Sequence, residues 1–321
     1  MIRLEGAACC WHNGSGLKQV PLRFCAKEEQ MIFRIQNQEM SASISDRGAE
    51  LKELSLHGHP FLWNGDPAYW KSTAPVLFPY VGRLTRETYR LDGNEYHMGI
   101  HGFARSAPFH AEMSGEQAVT FRLEDTEETR RQYPFSFRFE VTYALEGETL
   151  SITYTVVDRS ERIMPFGIGG HPGFRVPLDE GLHFDDYMLT FGEPCLPDRV
   201  IYTDSCFVGA GREPYPLADG RNLPLTHQLF DQDAVVLANT ARSVTLHSGK
   251  GSRSVTVDFP DFPYLGIWHT PRKDAPFVAI EPWSSLSARQ DVEEDLNCQS
   301  DLIRLSSGAS FRNRWQITLK D

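Results

Sequence analysis

The sequence contains no Cys-x-x-Cys, and its cysteines and histidines fall at no zinc-binding spacing, so no structural metal site is expected. It has no apolar run approaching the roughly 18 residues that a membrane span requires. Basic residues are in deficit: 32 Lys and Arg against 43 Asp and Glu leave a net charge of −11 with neutral His. Nucleic acid and anionic membrane both require a basic surface that displaces counterions, and neither is expected as a partner. Six cysteines, at 9, 10, 25, 195, 206 and 298, make a poor disulfide framework for 321 residues. Reduced thiols and a cytoplasmic setting are the expectation. The adjacent Cys9 and Cys10 lack partners at redox spacing. Long helical windows are missing too, and only residues 286–297 carry a pattern that supports a short helix.

What is present is enough to build a core. Apolar residues make up 40% and aromatics 12% of the chain, which rules out global disorder. Residues 1–30 read differently from the rest, with 4 Lys and Arg against 3 Asp and Glu, half the cysteines and no sustained periodicity. Glu5, His12, Asn13 and the Gly14-Ser15-Gly16 run interrupt any apolar stretch there, so this segment reads as an accessory extension and not an export signal. From Met31 the pattern changes.

Residues 31–321 alternate with a period of two. Phe137, Phe139, Val141 and Tyr143 face one way, a turn at Gly147 follows, and Leu150, Ile152, Tyr154 and Val156 resume the alternation. Residues 89–96 read as a second hairpin bent at Asp92-Gly93-Asn94. Further strands are expected at 31–36, 118–123, 234–238, 243–247, 254–259, 277–281 and 311–319. Residues 192–233 are the least periodic and are expected to form long loops over one face. No linker divides the chain after residue 30. The expectation is all-β, one large domain built as a sandwich or a barrel.

Four segments carry polar residues in settings unlike ordinary strand surface. In Leu77-Phe78-Pro79-Tyr80-Val81-Gly82-Arg83-Leu84, Arg83 stands in an apolar run, either in a structural ion pair or as a fork of donors for ligand oxygens. In Gly99-Ile100-His101-Gly102-Phe103-Ala104-Arg105, His101 is bracketed by glycines. His97 lies four residues earlier, but the glycines make a helical metal pair improbable. His101 on this segment alone is as readily structural as ligand-contacting. In Phe166-Gly167-Ile168-Gly169-Gly170-His171-Pro172-Gly173-Phe174, an irregular backbone surrounds His171, a side chain suited to proton transfer near neutral pH. No βαβ context follows, so a nucleotide loop is not indicated. In Phe277-Val278-Ala279-Ile280-Glu281-Pro282-Trp283, Glu281 ends an apolar strand, where burial raises a carboxyl toward a working base unless it is locked in an ion pair. Trp63, Trp268 and Trp283 offer sugar-stacking faces or core packing.

Together, FPYVGRL, HGFAR, GGHPGF and IEPW resemble the aldose 1-epimerase (galactose mutarotase-like) family, with the nearest likeness to its LacX-like branch. The resemblance runs over residues 31–321, and HGFAR also looks like the hexose-6-phosphate epimerase branch. It implies a β-supersandwich with a sugar cleft, in which Glu281 would be the general base and His171 the general acid. His101 and Arg83 would match substrate-contacting residues, with Arg105 and Trp283 beside them. A substrate-binding Asp would fall at Asp233 or Asp231; Asp233, set against the following strand, is the favoured position.

The implied chemistry interconverts the anomers of a hexose by ring opening. It needs neither cofactor nor metal, because mutarotation proceeds in water and a placed acid and base each add about 10²–10⁴-fold. The implied partner is a small-molecule sugar; oligomeric state has no signature here. Two alternatives stand beside this reading. A sugar phosphate would use Arg83, Arg86 and Arg105 as donors. A non-catalytic carbohydrate-binding or sugar-sensing protein would use the fold without the chemistry. A glycoside hydrolase lacks its second carboxylate motif.

Overall fold

The computed structural model describes residues 30–321; residues 1–29, with Cys9, Cys10, Cys25 and nearly all of the segment expected to be an accessory extension, lie outside the described residues. The alternating segments form strands. Phe137–Glu146 and Thr149–Asp158 pair antiparallel, with Val141 opposite Tyr154 and Tyr143 opposite Ile152. Thr88–Leu91 and Asn94–His97 make the second hairpin. The first of these hairpins sits inside a nine-stranded sheet. From one edge its order is Asn222–Pro224, Tyr187–Phe191, Ser243–Ser248, Ser254–Asp258, Ser310–Lys320, Thr149–Asp158, Phe137–Glu146, Ala118–Glu124 and His110–Met113.

A second sheet of eight strands runs Val208–Pro214, Asp198–Tyr202, Val235–Ala238, Tyr264–Trp268, Phe277–Trp283, Gly169–Gly170 and Val76–Leu77. Its eighth strand, Gly173–Arg175, also pairs with Phe277–Trp283. One buried cluster joins Phe139, Tyr154 and Ile317 of the larger sheet with Leu265, Val278 and Ile280 of the smaller one, so the two pack face to face. The fold is the expected antiparallel β-sandwich. Because side chains alternate across a strand, burying Val278 and Ile280 in this core turns Phe277, Glu281 and Trp283 to the outer face of the smaller sheet. Loops cover that face, so Phe277–Trp283 is buried along its whole length and reads as a continuous apolar run.

Two expectations are corrected. Residues 286–297 do not form a helix. Their backbone N–H groups are taken by distant partners: Leu286 donates to Asp301 Oδ2 (2.7 Å), Ala288 to the Arg83 carbonyl (2.8 Å) and Gln290 to the Val208 carbonyl (3.0 Å). The only α-helix among the described residues is Glu127–Gln132, where the Thr126 hydroxyl accepts from the Thr129 N–H and caps the first turn. Residues 192–233 are also not simply loops. Asp198–Tyr202 and Val208–Pro214 pair there at the edge of the smaller sheet, with a register shift between Val200 and Tyr202. Val208–Pro214 is mostly exposed, and an edge strand without a buried face leaves no alternation to read.

Candidate active site

The outer face of the smaller sheet carries a cavity of about 260 Å³. Its floor is built from neighbouring strands. Glu281 lies opposite Gly266 and Trp283 opposite Tyr264 in the antiparallel register. The Trp283 indole lies across Gly266, where a Cβ would stand 2.9 Å from the ring. Glu281 is 1% exposed. Burial first, and then the negative charge of Asp233, holds its carboxyl well above the usual carboxylate range.

His171 enters from the irregular GGHPGF segment, which the strands Gly169–Gly170 and Gly173–Arg175 anchor on either side. Its Nε2 lies 3.2 Å from Glu281 Oε2. Burial, helped by the Arg105 charge, lowers its pKa to about 3. Both groups therefore favour their neutral forms, chiefly because neither charge is solvated by water and secondly because each has a like charge nearby. Trp70 stacks on the His171 ring at 4.8 Å and 26°, and Trp268 meets it edge-on at 5.5 Å.

His101 meets the His171 ring edge-on at 5.8 Å; Gly82 N–H donates to the His101 Nδ1 (3.0 Å) and the His101 N–H returns to the Gly82 carbonyl (2.8 Å). A neutral ring that accepts at Nδ1 carries its proton on Nε2, so His101 is a donor there. Burial first, then repulsion from His171 were that ring to be protonated and from the Arg105 and Arg83 charges, keeps it well below the ordinary histidine range. Arg83 and Arg105 line the same cavity, and neither has a carboxylate partner among the described residues. Asp233 completes the rim.

The cavity thus gathers Glu281, His171, His101, Arg83, Arg105, Asp233 and Trp283. It leaves others outside. Asp231 is exposed two residues away, Trp63 is buried beside Phe277 at 4.7 Å, and His97 is exposed near Glu95. Arg86 is corrected as a member of a cationic cluster: it is 72% exposed and paired with Glu293. Trp70, Tyr202, Thr203 and Cys206 line the cavity without having been expected. They come from 57–72 and 192–233, segments with no readable motif. Among the described residues, no group of three or more His, Cys, Asp or Glu side chains could hold a metal ion. No helix among them is long and apolar enough to cross a membrane.

Three buried polar atoms of the cavity residues make no aligned hydrogen bond: His171 Nδ1, Trp283 Nε1 and Glu281 Oε2, whose one polar neighbour is His171 Nε2 at 3.2 Å. Such groups are costly unless a ligand completes them. An acceptor, a titratable imidazole and a donor suit a small polyhydroxylated molecule, whose hydroxyls both donate and accept.

Comparison with known proteins decides the relationship. The family model described as aldose 1-epimerase matches residues 31–291. The chain belongs to the aldose 1-epimerase family. It is 35% identical to the chromosomal Protein LacX of Lactococcus lactis subsp. lactis over 299 residues, covering 90% of this chain and 99% of that protein. A galactose mutarotase related enzyme from Lactobacillus acidophilus is 34% identical with a TM-score of 0.86, covering 91% of this chain and 98% of its own. A galactose mutarotase-like protein from Lactobacillus casei ATCC 334 is 36% identical, also at 0.86, covering 90% and 100%. Membership in the aldose 1-epimerase family implies an enzyme of the isomerase type. The strands Ile303–Leu305 and Ser310–Lys320 lie beyond the family match, yet Ser310–Lys320 stands in the middle of the larger sheet.

Since Arg86 is outside the cavity and its ion pair is exposed, Arg86→Ala is expected to change anomer exchange of glucose and of glucose 6-phosphate by less than about twofold. NMR exchange rates for both sugars check this.

Proposed function

We propose that this protein is an aldose 1-epimerase that interconverts the α and β anomers of a free hexose, with Glu281 as base and His171 as acid. The observation that carries the reading is the buried contact of 3.2 Å between Glu281 Oε2 and His171 Nε2 at the cavity floor. Glu281 takes the proton of the anomeric hydroxyl while His171 protonates the ring oxygen. The C1–ring oxygen bond breaks, C1 becomes an aldehyde, and rotation about C1–C2 before reclosure yields the other anomer. The two groups exchange roles in the return step, so no proton is gained or lost overall.

The protonation states follow from burial. With both groups neutral, Glu281 holds the one proton of the pair. Moving that proton to His171 creates the carboxylate base and the imidazolium acid together, without exchange with solvent. A pair that works with one proton loses activity when it has none or two. The rate is expected to stay level through neutral pH, to fall at alkaline pH as Glu281 loses its proton, and to fall toward pH 3 as His171 takes up a second. In this reading His101, Arg83, Arg105 and Asp233 hold the sugar hydroxyls, and Trp283 forms the apolar floor.

A phosphorylated hexose is the second reading, favoured by the two unpaired guanidinium groups of Arg83 and Arg105 in the cavity lining. Side-by-side NMR exchange measurements on glucose, galactose and glucose 6-phosphate test both. Acceleration of a free hexose is expected. Acceleration of the phosphate alone would replace the first reading with the second. Sugar binding with every exchange rate equal to buffer would make the protein a carbohydrate binder instead.

A further inference from the structure

Cys206 and Asp233 meet at the rim of the cavity from two separate loops. Cys206 lies in the turn between Asp198–Tyr202 and Val208–Pro214, closed by the Cys206 N–H to the Thr203 carbonyl (2.8 Å). Asp233 lies between the His227–Phe230 turn and the strand Val235–Ala238, with its N–H on the Phe230 carbonyl (3.0 Å). Asp198–Tyr202 and Val235–Ala238 are neighbours in the sheet, so the two loops emerge side by side. Both residues hold left-handed backbone, φ +64 at Cys206 and φ +76 at Asp233. Non-glycine residues adopt that conformation at a cost and persist in it only where surroundings impose it. The imposed geometry brings Cys206 Sγ to 2.6 Å from Asp233 Oδ2.

We propose that Cys206 is a positioning residue, whose thiol donates to Asp233 Oδ2 and holds that carboxylate in the orientation that accepts a sugar hydroxyl. The inference rests on the proposed function for its ligand but not for the thiol–carboxylate contact itself. A carboxylate on a loop otherwise has free rotamers, and fixing it before the ligand arrives removes an ordering cost from binding. Asp233 keeps acceptor capacity beyond the thiol contact, and both residues line the cavity. The thiol's own titration agrees: burial first, then the hydrogen bond and charge of Asp233, push it up to about 11, with Arg83 partly opposing. Cys206 is thus held as a donor and is a poor nucleophile.

Two measurements on the full-length protein test this. Alkylation of Cys206 by iodoacetamide, followed by peptide mass spectrometry, reads the contact directly. Asp233→Asn removes the acceptor charge, and the alkylation rate at pH 8 is expected to rise at least about fivefold. Equal rates in the two proteins would overturn the contact and the proposal with it. The second measurement is the KM of the accepted sugar, or its Kd by tryptophan fluorescence if the sugar binds without exchange. Cys206→Ala is expected to raise it about tenfold with kcat within about twofold, and Cys206→Ser, which keeps an O–H donor, to restore most of the loss. Altered alkylation with unchanged KM or Kd in Cys206→Ala would overturn the positioning role. Wild-type protein without any exchange activity, but with the fivefold alkylation change and the tenfold change in Kd, would overturn the proposed reaction and support the positioning role.

Discussion

Glu281→Gln is expected to lower the catalysed rate of anomer exchange by about 10²–10⁴-fold while making the folded protein more stable at neutral and alkaline pH. The first effect follows because glutamine keeps the shape of the side chain and cannot accept the anomeric proton. The second follows from linkage. Glu281 is held above its ordinary value of 4.5 in the folded state, so between 4.5 and its raised value the folded chain binds more protons than the unfolded chain. Wild-type stability therefore declines as pH rises through that window. The amide carries no such charge, so the gain in Glu281→Gln is smallest at pH 4 and grows as pH rises above the ordinary carboxylate value. Denaturant unfolding at pH 4, 6 and 8, beside NMR exchange rates, reads both. Retained activity would remove Glu281 as the base, and a stability difference that does not grow with pH would refute its raised pKa.

Gly102→Ala is expected to destabilise the fold by about 2–4 kcal/mol, from backbone strain plus overpacking. Gly102 has φ +71, and a Cβ there would stand 2.3 Å from the Phe78 carbonyl oxygen. That carbonyl also accepts the Ala104 N–H at 3.1 Å, so it cannot retreat without losing a hydrogen bond. His101 precedes Gly102 with its own left-handed backbone, φ +63, and its ring is held on Gly82. Any relief of the clash therefore displaces a cavity-lining imidazole. A lower denaturant midpoint with a raised KM for sugar is the expected pair of results. Unchanged stability would mean that this segment has room the backbone does not show.

The strand pattern was legible in long strands that bury one face, while the short Tyr187–Phe191, with the same alternation, was not expected. Phe137–Glu146 and Thr149–Asp158 alternate because each has a core side and a wetter side, and their pairing followed from the turn at Gly147. Val208–Pro214 escaped notice because it is an edge strand with little burial. The helix expected at 286–297 failed for a different reason. Its residues have acceptable helical propensity, yet their backbone groups find partners in 83, 208 and 301, and long-range hydrogen bonds override a weak local preference. Glu127–Gln132 was too short to show a period.

Among cavity residues, those in glycine-rich or apolar surroundings stood out. His101, His171 and Glu281 are polar side chains where local burial makes them expensive, and Arg83 is an exposed cation within an apolar run; that contrast is visible in one dimension. Trp70 and Cys206 carry no such contrast. One is an aromatic in a mixed loop and the other a small thiol in a turn, and each acquires meaning only from what lies against it.

The sequence by itself determined the β-sandwich class, eleven of the twenty-five strands among the described residues, the family and the side chains that are candidates for moving a proton. Turn chemistry, alternation and short motifs act within a few residues, so a linear reading reaches them. The tertiary structure alone decided which groups share one cavity. It set Glu281 against His171, laid Trp70 on that imidazole, joined Cys206 to Asp233, kept Arg105 at the lining and left Arg86 in solvent with Glu293. Those contacts join residues 27 to more than 200 positions apart, and the closure of two sheets on one core, which no local pattern encodes, brings them together.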